Sequence, residues 1–575
     1  MLHKRLQTNL LLAFAVFFLF GAGGAPGQTE EDLSFPDGLE KGFSWRWPPP
    51  RLGFSLAIRD QQLSAGGETW AMSEDSALEP AKTISAGERK KRPGRAILIL
   101  SGFILAETIR YWVESKKWRE DWNYRFTWDD QKTRFFSLAA NRFDSNPFVT
   151  NWTHLISGHL YYSMGRYYNL SQFESVLLSM GSSLWWEYVT EWREVISIND
   201  NLFSGLGGIA LGEPLFQFAT YFCRRPGILN KAIGFVFNPV FALNDVLAGK
   251  RGKSRWRGLE SAKPRLQLTI GHQRRNGLDE APAVSPLLQV GLDAAYLTIP
   301  GFGDPEQHDR GGWIKKTILS EISLDMAVGA GRVQEFSFFS RAVLGGFFRQ
   351  ELRPGPRSGV RGYNYFLGLA TSFDLFKKAA TAYYDQGEYH YDFAAGEQAP
   401  QPTDFVDKCA AVNLIGPVFD ARFYAGPARF RLALAGSLDF ALVNALALNP
   451  YSREHDIFEP RMKTTLVHYG YYYAFGTTLS AAAGMQFGNF GFSSRCKYQV
   501  YGSIEGLDRF QDRVVDDGHI RDSRLACRFE LRYSLPGMPV ALGLAFEEIR
   551  RWGSLAEVKC RRAEQRLTSQ LVISF

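Results

Sequence analysis

Cysteine is scarce. Cys223, Cys409, Cys496, Cys527 and Cys560 are the five in 575 residues, and none of them stand at metal-ligand spacing, which argues against a zinc module and against a small disulfide-built fold. Cys527 with Cys560 is the pairing considered for an oxidising compartment, and the cysteines otherwise read as packing residues. A G-x-S-x-G nucleophile turn is also missing, which counts against an ordinary esterase. The formal charge is +7 and the pI about 9.0, yet Lys and Arg are scattered with no basic stripe, so a nucleic-acid partner is not expected. Charged residues are 22% and hydrophobic residues 45% of the chain, a balance that excludes wholesale disorder and a polytopic helical membrane protein.

What the chain does have is aromatic residues, at 14%: 45 Phe, 24 Tyr and 14 Trp. Rings in that number suit a protein that meets a membrane interface. At the N-terminus His3, Lys4 and Arg5 precede an apolar run from Leu10 to Phe20 and small residues from Gly21 to Gly27, the grammar of a signal peptide over residues 1–27. No cysteine lies near the expected cleavage point, so a lipoprotein anchor is not expected. Residues 28–95 hold Pro48-Pro49-Pro50 and the basic cluster Arg89, Lys90, Lys91, Arg92, and read as a flexible leader. Residues 96–250 read as a helical domain. Its first segment, Ala96 to Val113, is interrupted by Glu107 and Arg110 and is taken as a core helix in preference to a membrane span. Long helices are expected over Ser171 to Glu194 and Asp200 to Phe222. Ser204, Gly208 and Gly212 recur every four residues, so one helix face is nearly bare backbone and another helix can approach it closely.

After a basic linker, Lys250 to Lys263, the period changes to two. Phe430, Leu432, Leu434, Leu438, Phe440 and Leu442 alternate with Arg429, Arg431, Ser437 and Asp439. Leu525, Cys527, Phe529, Leu531 and Tyr533 alternate likewise with Arg524, Arg528, Glu530 and Arg532. Many such segments run ten residues or more, the length a tilted strand needs to cross an apolar band about 25 Å tall. In lipid only closure satisfies every backbone donor and acceptor. Residues 251–575 are therefore predicted to form a transmembrane antiparallel β-barrel of about twelve strands, greasy outside, with Arg429, Arg431, Asp439, Arg524, Arg528, Glu530 and Arg532 lining its lumen. The fold class is α+β multidomain. The chain closes on Leu571-Val572-Ile573-Ser574-Phe575, which resembles the C-terminal signature of bacterial outer-membrane proteins, with Phe575 as the group their assembly machinery reads.

The runs N-P-F-V-T-N-W-T-H (Asn146 to His154), W-W-E-Y-V-T-E (Trp185 to Glu191), S-I-N-D (Ser197 to Asp200) and G-G-I-A-L-G-E (Gly207 to Glu213) resemble an uncharacterised Gram-negative family. That family pairs a helical domain of unknown function with a C-terminal outer-membrane β-barrel. Asn238, Pro239 and Asn244 are similar to its closing motif, with Asp245 where an Arg is expected. The resemblance implies an outer-membrane location, and it supplies no activity.

His154, His159, Glu187, Glu191 and Asp200 are the candidate catalytic residues. Glu187 and Glu191 stand four apart, the spacing of paired carboxylates on one helix face. A His base beside them, desolvated by Trp152, Trp185 and Trp186, has the makings of general acid–base chemistry. His154 and His159 are five apart, about 140° around a helix, so they do not share a metal on a regular helix. Against the catalytic reading stands a helical bundle whose buried polar groups simply satisfy one another, with Asp200 and Ser197 serving as a helix cap. No cofactor is expected, and a metal is left open. The expected arrangement places the helical domain in the periplasm, docked at or partly plugging the barrel's inner mouth, with the barrel acting as channel, transporter or envelope scaffold. The rival is an envelope enzyme acting on lipid or lipopolysaccharide. Expected partners are outer-membrane lipid and lipopolysaccharide, the barrel-assembly machinery and a periplasmic protein.

Overall fold

The computed structural model describes residues 90–114, 123–223, 225–241, 244, 264–277, 286–299, 301–307, 309–329, 331–355, 359–378, 407–455 and 462–575. The expected signal peptide and all but the end of the expected leader lie outside these residues. Two short parallel strands, β1 (Asn141–Arg142) and β2 (Ile196–Ser197), tie loops of the helical domain together. The barrel strands are β3 (Arg265–Gly277), β4 (Leu287–Leu297), β5 (Asp309–Ile314), β6 (Leu319–Gly329), β7 (Arg332–Pro354), β8 (Val360–Lys378), β9 (Lys408–Gly426), β10 (Ala428–Asn444), β11 (Tyr471–Phe487), β12 (Phe490–Ser503), β13 (Ile520–Ser534), β14 (Val540–Leu555) and β15 (Val558–Ser574). Each pairs antiparallel with its neighbour, β15 closes on β3, and β7 closes on β8. Short β5 and β6 lie end to end along the same edge of the long strand β7, so they act as one broken wall strand. The result is a closed twelve-strand barrel, as the period-two pattern predicts.

Alternation fixes which face is which. On β10, Phe430, Leu432, Leu434 and Leu438 are exposed outward, while Arg431 reaches Asp420 at 2.9 Å on the opposite face. Ion pairs between strands that are not neighbours identify that second face as the lumen. Arg566 of β15 grips Glu335 of β7 with two bonds of 2.8 and 2.9 Å. Lys378 of β8 meets Glu564 of β15 at 2.5 Å, and Lys497 of β12 meets Asp374 of β8 at 2.6 Å. A charge taken out of water needs such a partner, and here the partners cross the bore.

Connecting segments also pack on inward side chains at both ends. At the end bearing the connections 379–407, 445–470 and 504–519, called here the loop end, α7 (Leu448–Glu454) and α8 (Thr464–Tyr469) fold over the bore. Leu448, Met462 and Leu466 pack there on inward Val443, Tyr472, Tyr501 and Ile520. At the opposite, turn end, Ile299 and Phe302 pack against inward Val343, Phe366 and Val418. Gln350 holds that inserted segment by donating to the carbonyls of Gly301, Asp304 and Gln307 and accepting from Gly303 N.

The helical domain comprises α1 (Pro93–Glu114), α2 (Trp128–Phe136), α3 (Phe148–Tyr167), α4 (Gln172–Trp185), α5 (Gly207–Cys223) and α6 (Ile228–Phe237). Local chemistry sets the boundaries. Ser171 and Glu174 form a reciprocal capping box that starts α4, and the Thr127 side chain caps α2. The predicted single helix from Ser171 to Glu194 stops at Trp185, where a wide π turn covers Trp186–Thr190. A second π turn, Asn201–Leu206, precedes α5.

The domain does not sit at the inner mouth. Phe440 and Leu442 continue the outward face of β10, and Tyr471 and Tyr473 that of β11, yet all four are buried under Phe143, Phe148 and Phe203. Outward Ser340 donates to Ala210 O at 2.8 Å while its neighbour Arg341 points inward to Glu321. The helices therefore lie on the outside of the wall. Alternation hid this, because a residue facing lipid and one facing an apolar helix carry the same side chains. The core-helix expectation for residues 96–113 is corrected too: only 17% of the most apolar window of this helix is buried, through Ala96, Leu100 and Ile104 on one edge.

Four helices run alternately along the wall. Arg92 N bonds Tyr168 O near the start of α1, and Trp112 near its end bonds Thr190 O. Phe148 at the start of α3 lies edge-on to Tyr471 at the loop end, whereas Gln172 at the start of α4 lies 2.5 Å from Thr317 at the turn end. The bare stripe on α5 works as predicted: a Cβ on Gly208 would fall 2.7 Å from the carbonyl of Gly158, and one on Gly212 would fall 2.7 Å from Tyr162.

Candidate functional site

The polar residues of the helical domain collect at the loop end, where the start of α3, the connection 186–200 and the barrel meet. Asn199 is the hub. Its amide donates to Asn151 Oδ1 at 2.9 Å and to Asp200 Oδ1 at 2.8 Å. Its oxygen accepts from Ser197 Oγ at 3.0 Å and from Asp144 N at 2.9 Å. Ser197, not Asp200, is the cap: its hydroxyl accepts from Asp200 N at 3.2 Å. That leaves the Asp200 carboxyl facing His154, whose Nε2 lies 3.4 Å from Oδ1. The barrel completes the cluster. Tyr473 donates to Asp144 O at 2.8 Å, Asn151 donates to Tyr471 Oη at 2.5 Å, and Arg509 of the 504–519 loop pairs with Asp144 at 3.3 Å.

Glu187 and Glu191 are near one another across the π turn, each with its own work. Glu187 accepts from Ser197 N at 2.8 Å, and Glu191 accepts from Trp186 Nε1 at 2.8 Å. Buried Arg134 braces the turn by donating to the carbonyls of Glu194, Tyr188 and Glu191 at 2.7, 2.8 and 2.9 Å, and to that of Glu187. Burial, and then the nearby carboxylates, push the Glu187, Glu191 and Asp200 carboxyls well above the usual carboxylate range. They hold protons where a surface carboxyl has lost them.

His159 is not part of this cluster. It is buried deeper along α3, where its Nδ1 lies 3.1 Å from Ser163 Oγ, which in turn accepts from Asn238. Of the three expected desolvating rings, Trp152 stacks on Phe373 of the barrel wall and Trp186 bonds Glu191, but Trp185 is exposed. Among the described residues no group of three or more His, Cys, Asp and Glu side chains is placed to hold a metal ion.

A second buried centre escaped the sequence reading. Glu213, fully buried, accepts from Arg166 Nε at 2.9 Å, Tyr162 Oη at 2.7 Å, Gln217 Nε2 at 2.6 Å and from Thr317 in the break between β5 and β6. A Glu followed by Pro214 inside an apolar helix was its signal. Asn199 and Asn151 stood within the quoted runs but carry no charge to draw the eye. Arg509 had no local signal at all, since its partner Asp144 lies 365 positions away.

The lumen candidates sit on the inner face. Arg429 alternates with the outward residues of β10, and Asp439 accepts from Asn413 and Ser437 at 2.5 and 2.7 Å. Arg524 lies 4.0 Å above the Phe376 ring, Arg528 donates to Gln570 at 2.9 Å, and Arg532 donates to Glu530 at 2.7 Å. Phe575 N donates to Leu266 O at 2.9 Å and the ring is exposed. Cys527 faces outward and is bonded to Cys496 on the neighbouring strand. It is not paired with Cys560, which lies two strands away across β14.

Residues 140–240 match the family model described as a domain of unknown function, DUF3943. No curated protein matches the chain. Among solved structures the barrel is similar to OmpT, an outer-membrane protein of Vibrio cholerae, with a TM-score of 0.22 and 7% identity over 55% of this chain and 97% of that one. It is similar also to the KdgM porin, with a TM-score of 0.18 and 8% identity over 54% and 99%. The β domain of the Bordetella autotransporter BrkA gives a TM-score of 0.21 and 11% identity over 55% and 100%. The chain joins a segment that matches a domain of unknown function to a closed twelve-strand barrel.

Proposed function

We propose that the protein is a non-conducting outer-membrane scaffold, a sealed barrel that holds the helical domain and its polar cluster at a fixed place in the envelope. The observation that carries this is what occupies the bore: α7 and α8 over one mouth, the Arg566–Glu335 and Lys497–Asp374 pairs between strands that are not neighbours, and Ile299 with Phe302 in the other mouth. An ion would have to displace paired charges and apolar plugs in series. The short connections of the turn end suit the periplasmic side, and the longer ones of the loop end suit the outside. Purified protein in planar bilayers is expected to give no conductance steps at any voltage. Steady channel activity from the intact chain would overturn the scaffold reading.

One observation favours a second reading, an enzyme acting on envelope lipid. His154 is partly open to its surroundings and its Nε2 faces the buried Asp200 carboxyl, a pair across which a proton can pass. If lipid chemistry occurs there, H154A and D200N change the lipid profile of the outer membrane while barrel abundance stays constant. Unchanged lipid at unchanged abundance leaves these residues a structural role.

A further inference from the structure

We infer that α1 crosses the outer membrane beside the barrel, with α3, α4 and α5 packed in the same layer, so that the bundle's outward faces meet lipid acyl chains. The inference rests on the membrane-barrel reading above and adds a second, helical, lipid-facing surface to it.

The first argument is continuity. Phe440, Leu442, Val412, Phe373 and Tyr296 lie beneath the bundle, on the same outward register as the exposed Leu432, Leu434, Leu367 and Leu544. The helices therefore stand in the layer that lipid occupies around the rest of the cylinder. The second is length and composition. Pro93–Val113 is a 21-residue apolar span of mean hydropathy 1.5, and α1 as a whole is 22 residues, about 33 Å of helix at 1.5 Å per residue, against a hydrocarbon core of about 30 Å.

Exposure then separates a spanning helix from a core helix. Leu98, Leu105, Ile109 and Val113 of α1 are 72, 60, 59 and 70% exposed. Phe173 and Leu177 of α4 and Phe235 of α6 are exposed as well. In water so much exposed apolar surface is a liability, whereas in lipid it is the required one. Inside the bundle Glu213 meets what hydrocarbon demands of a buried carboxyl, since it is closed off by four donors. The close contact between α3 and α5 through Gly158, Ser204 and Gly208 is the small-residue packing that membrane helices use.

The ends of α1 complete the pattern. Trp112 stacks with Trp192, and Tyr111 meets Trp186, at the loop end. Lys90, Lys91, Arg92 and Arg95 stand at the other. Rings at one boundary and cations at the other are what interfaces select.

Spin labels report the surroundings directly. In a background with Cys223, Cys409 and Cys560 replaced by Ser, labels are placed by L98C, L105C and I109C on α1 and by L544C on the barrel wall, and the protein is reconstituted in phospholipid vesicles. Accessibility to oxygen and to a water-soluble nickel chelate is then read by power saturation. The α1 labels are expected to favour oxygen over nickel as strongly as L544C does. Nickel-accessible α1 labels beside an oxygen-accessible L544C overturn the inference and spare the barrel. A nickel-accessible L544C overturns the membrane-barrel reading as well. Labels on α1 shielded from both reagents mean a protein partner covers the bundle, which also overturns it. Since labelled variants can misfold, the unmodified chain is irradiated in the same vesicles doped with a phospholipid bearing a photoreactive acyl chain. Adducts are expected within residues 93–113, and their absence there, with adducts present on barrel strands, overturns the inference.

Discussion

A methyl group added at Gly158 would lie 2.0 Å from the carbonyl oxygen of Ser204, and both partners are backbone, so neither can yield without moving a helix. G158A is expected to destabilise the bundle by about 1–3 kcal/mol, the usual cost of overpacking. Limited proteolysis of the helical domain should accelerate, while heat-modifiable migration of the barrel stays unchanged. At Glu187 the issue is charge. Its raised carboxyl, with those of Glu191 and Asp200, means that the folded protein keeps protons the unfolded chain releases above a pKa of about 4. Stability from these groups is complete at acid pH and declines as pH rises toward the folded-state values, by at most about 1.4 kcal/mol per group per pH unit. Amide exchange in residues 186–200, corrected for its intrinsic rate, should be more protected at pH 5 than at pH 8. E187Q cannot ionise, so it should shrink that difference, and an unchanged difference would mean Glu187 is ionised throughout.

Between elements the strongest ties are paired charges in the bore. Glu335 on β7 holds both Arg275 and Arg566 at 2.8 Å, so one carboxylate links three strands across the cylinder. E335A leaves Arg275 and Arg566 to share Glu564 and is expected to cost up to about 3 kcal/mol, the low end for breaking a buried pair. A lower temperature for loss of heat-modifiable migration is the measure, and E335Q should fall between the two. Much at this scale was legible in the residues: from Arg524 to Tyr533 and from Arg429 to Leu442 the side chains alternate between the two faces of the sheet. The end of α4 was not. Nothing in W-W-E-Y-V-T-E announces a π turn, because its brace is Arg134, which satisfies the loosened carbonyls from another helix.

At the scale of the molecule, the barrel and the bundle share one apolar boundary. The outward residues under the bundle, Phe373, Val412, Phe440, Leu442 and Tyr473, are as acceptable to lipid as to helices. Residues 264–575, expressed behind a signal peptide without the bundle, should therefore still assemble, giving β-rich dichroism and heat-modifiable migration in detergent. Failure to assemble would show that the bundle templates the wall, for instance through Thr317 and its bond to Glu213.

Sequence alone determined that the C-terminal part closes into a cylinder of about twelve strands with charge inside, because side-chain direction alternates strictly along a strand and a single chain carries that period in full view. It also determined the bare face of α5, which depends only on residues four apart. Tertiary structure decided what packs at the ends of the bore, since among the described residues it is Leu448, Met462 and Leu466 at one end and Ile299 and Phe302 at the other. It decided where the bundle sits, since an apolar face fits lipid and helix equally. It decided the polar cluster, since Asp144, Asn199, Tyr473 and Arg509 meet only after distant segments fold together, and no local pattern encodes a partner hundreds of residues away.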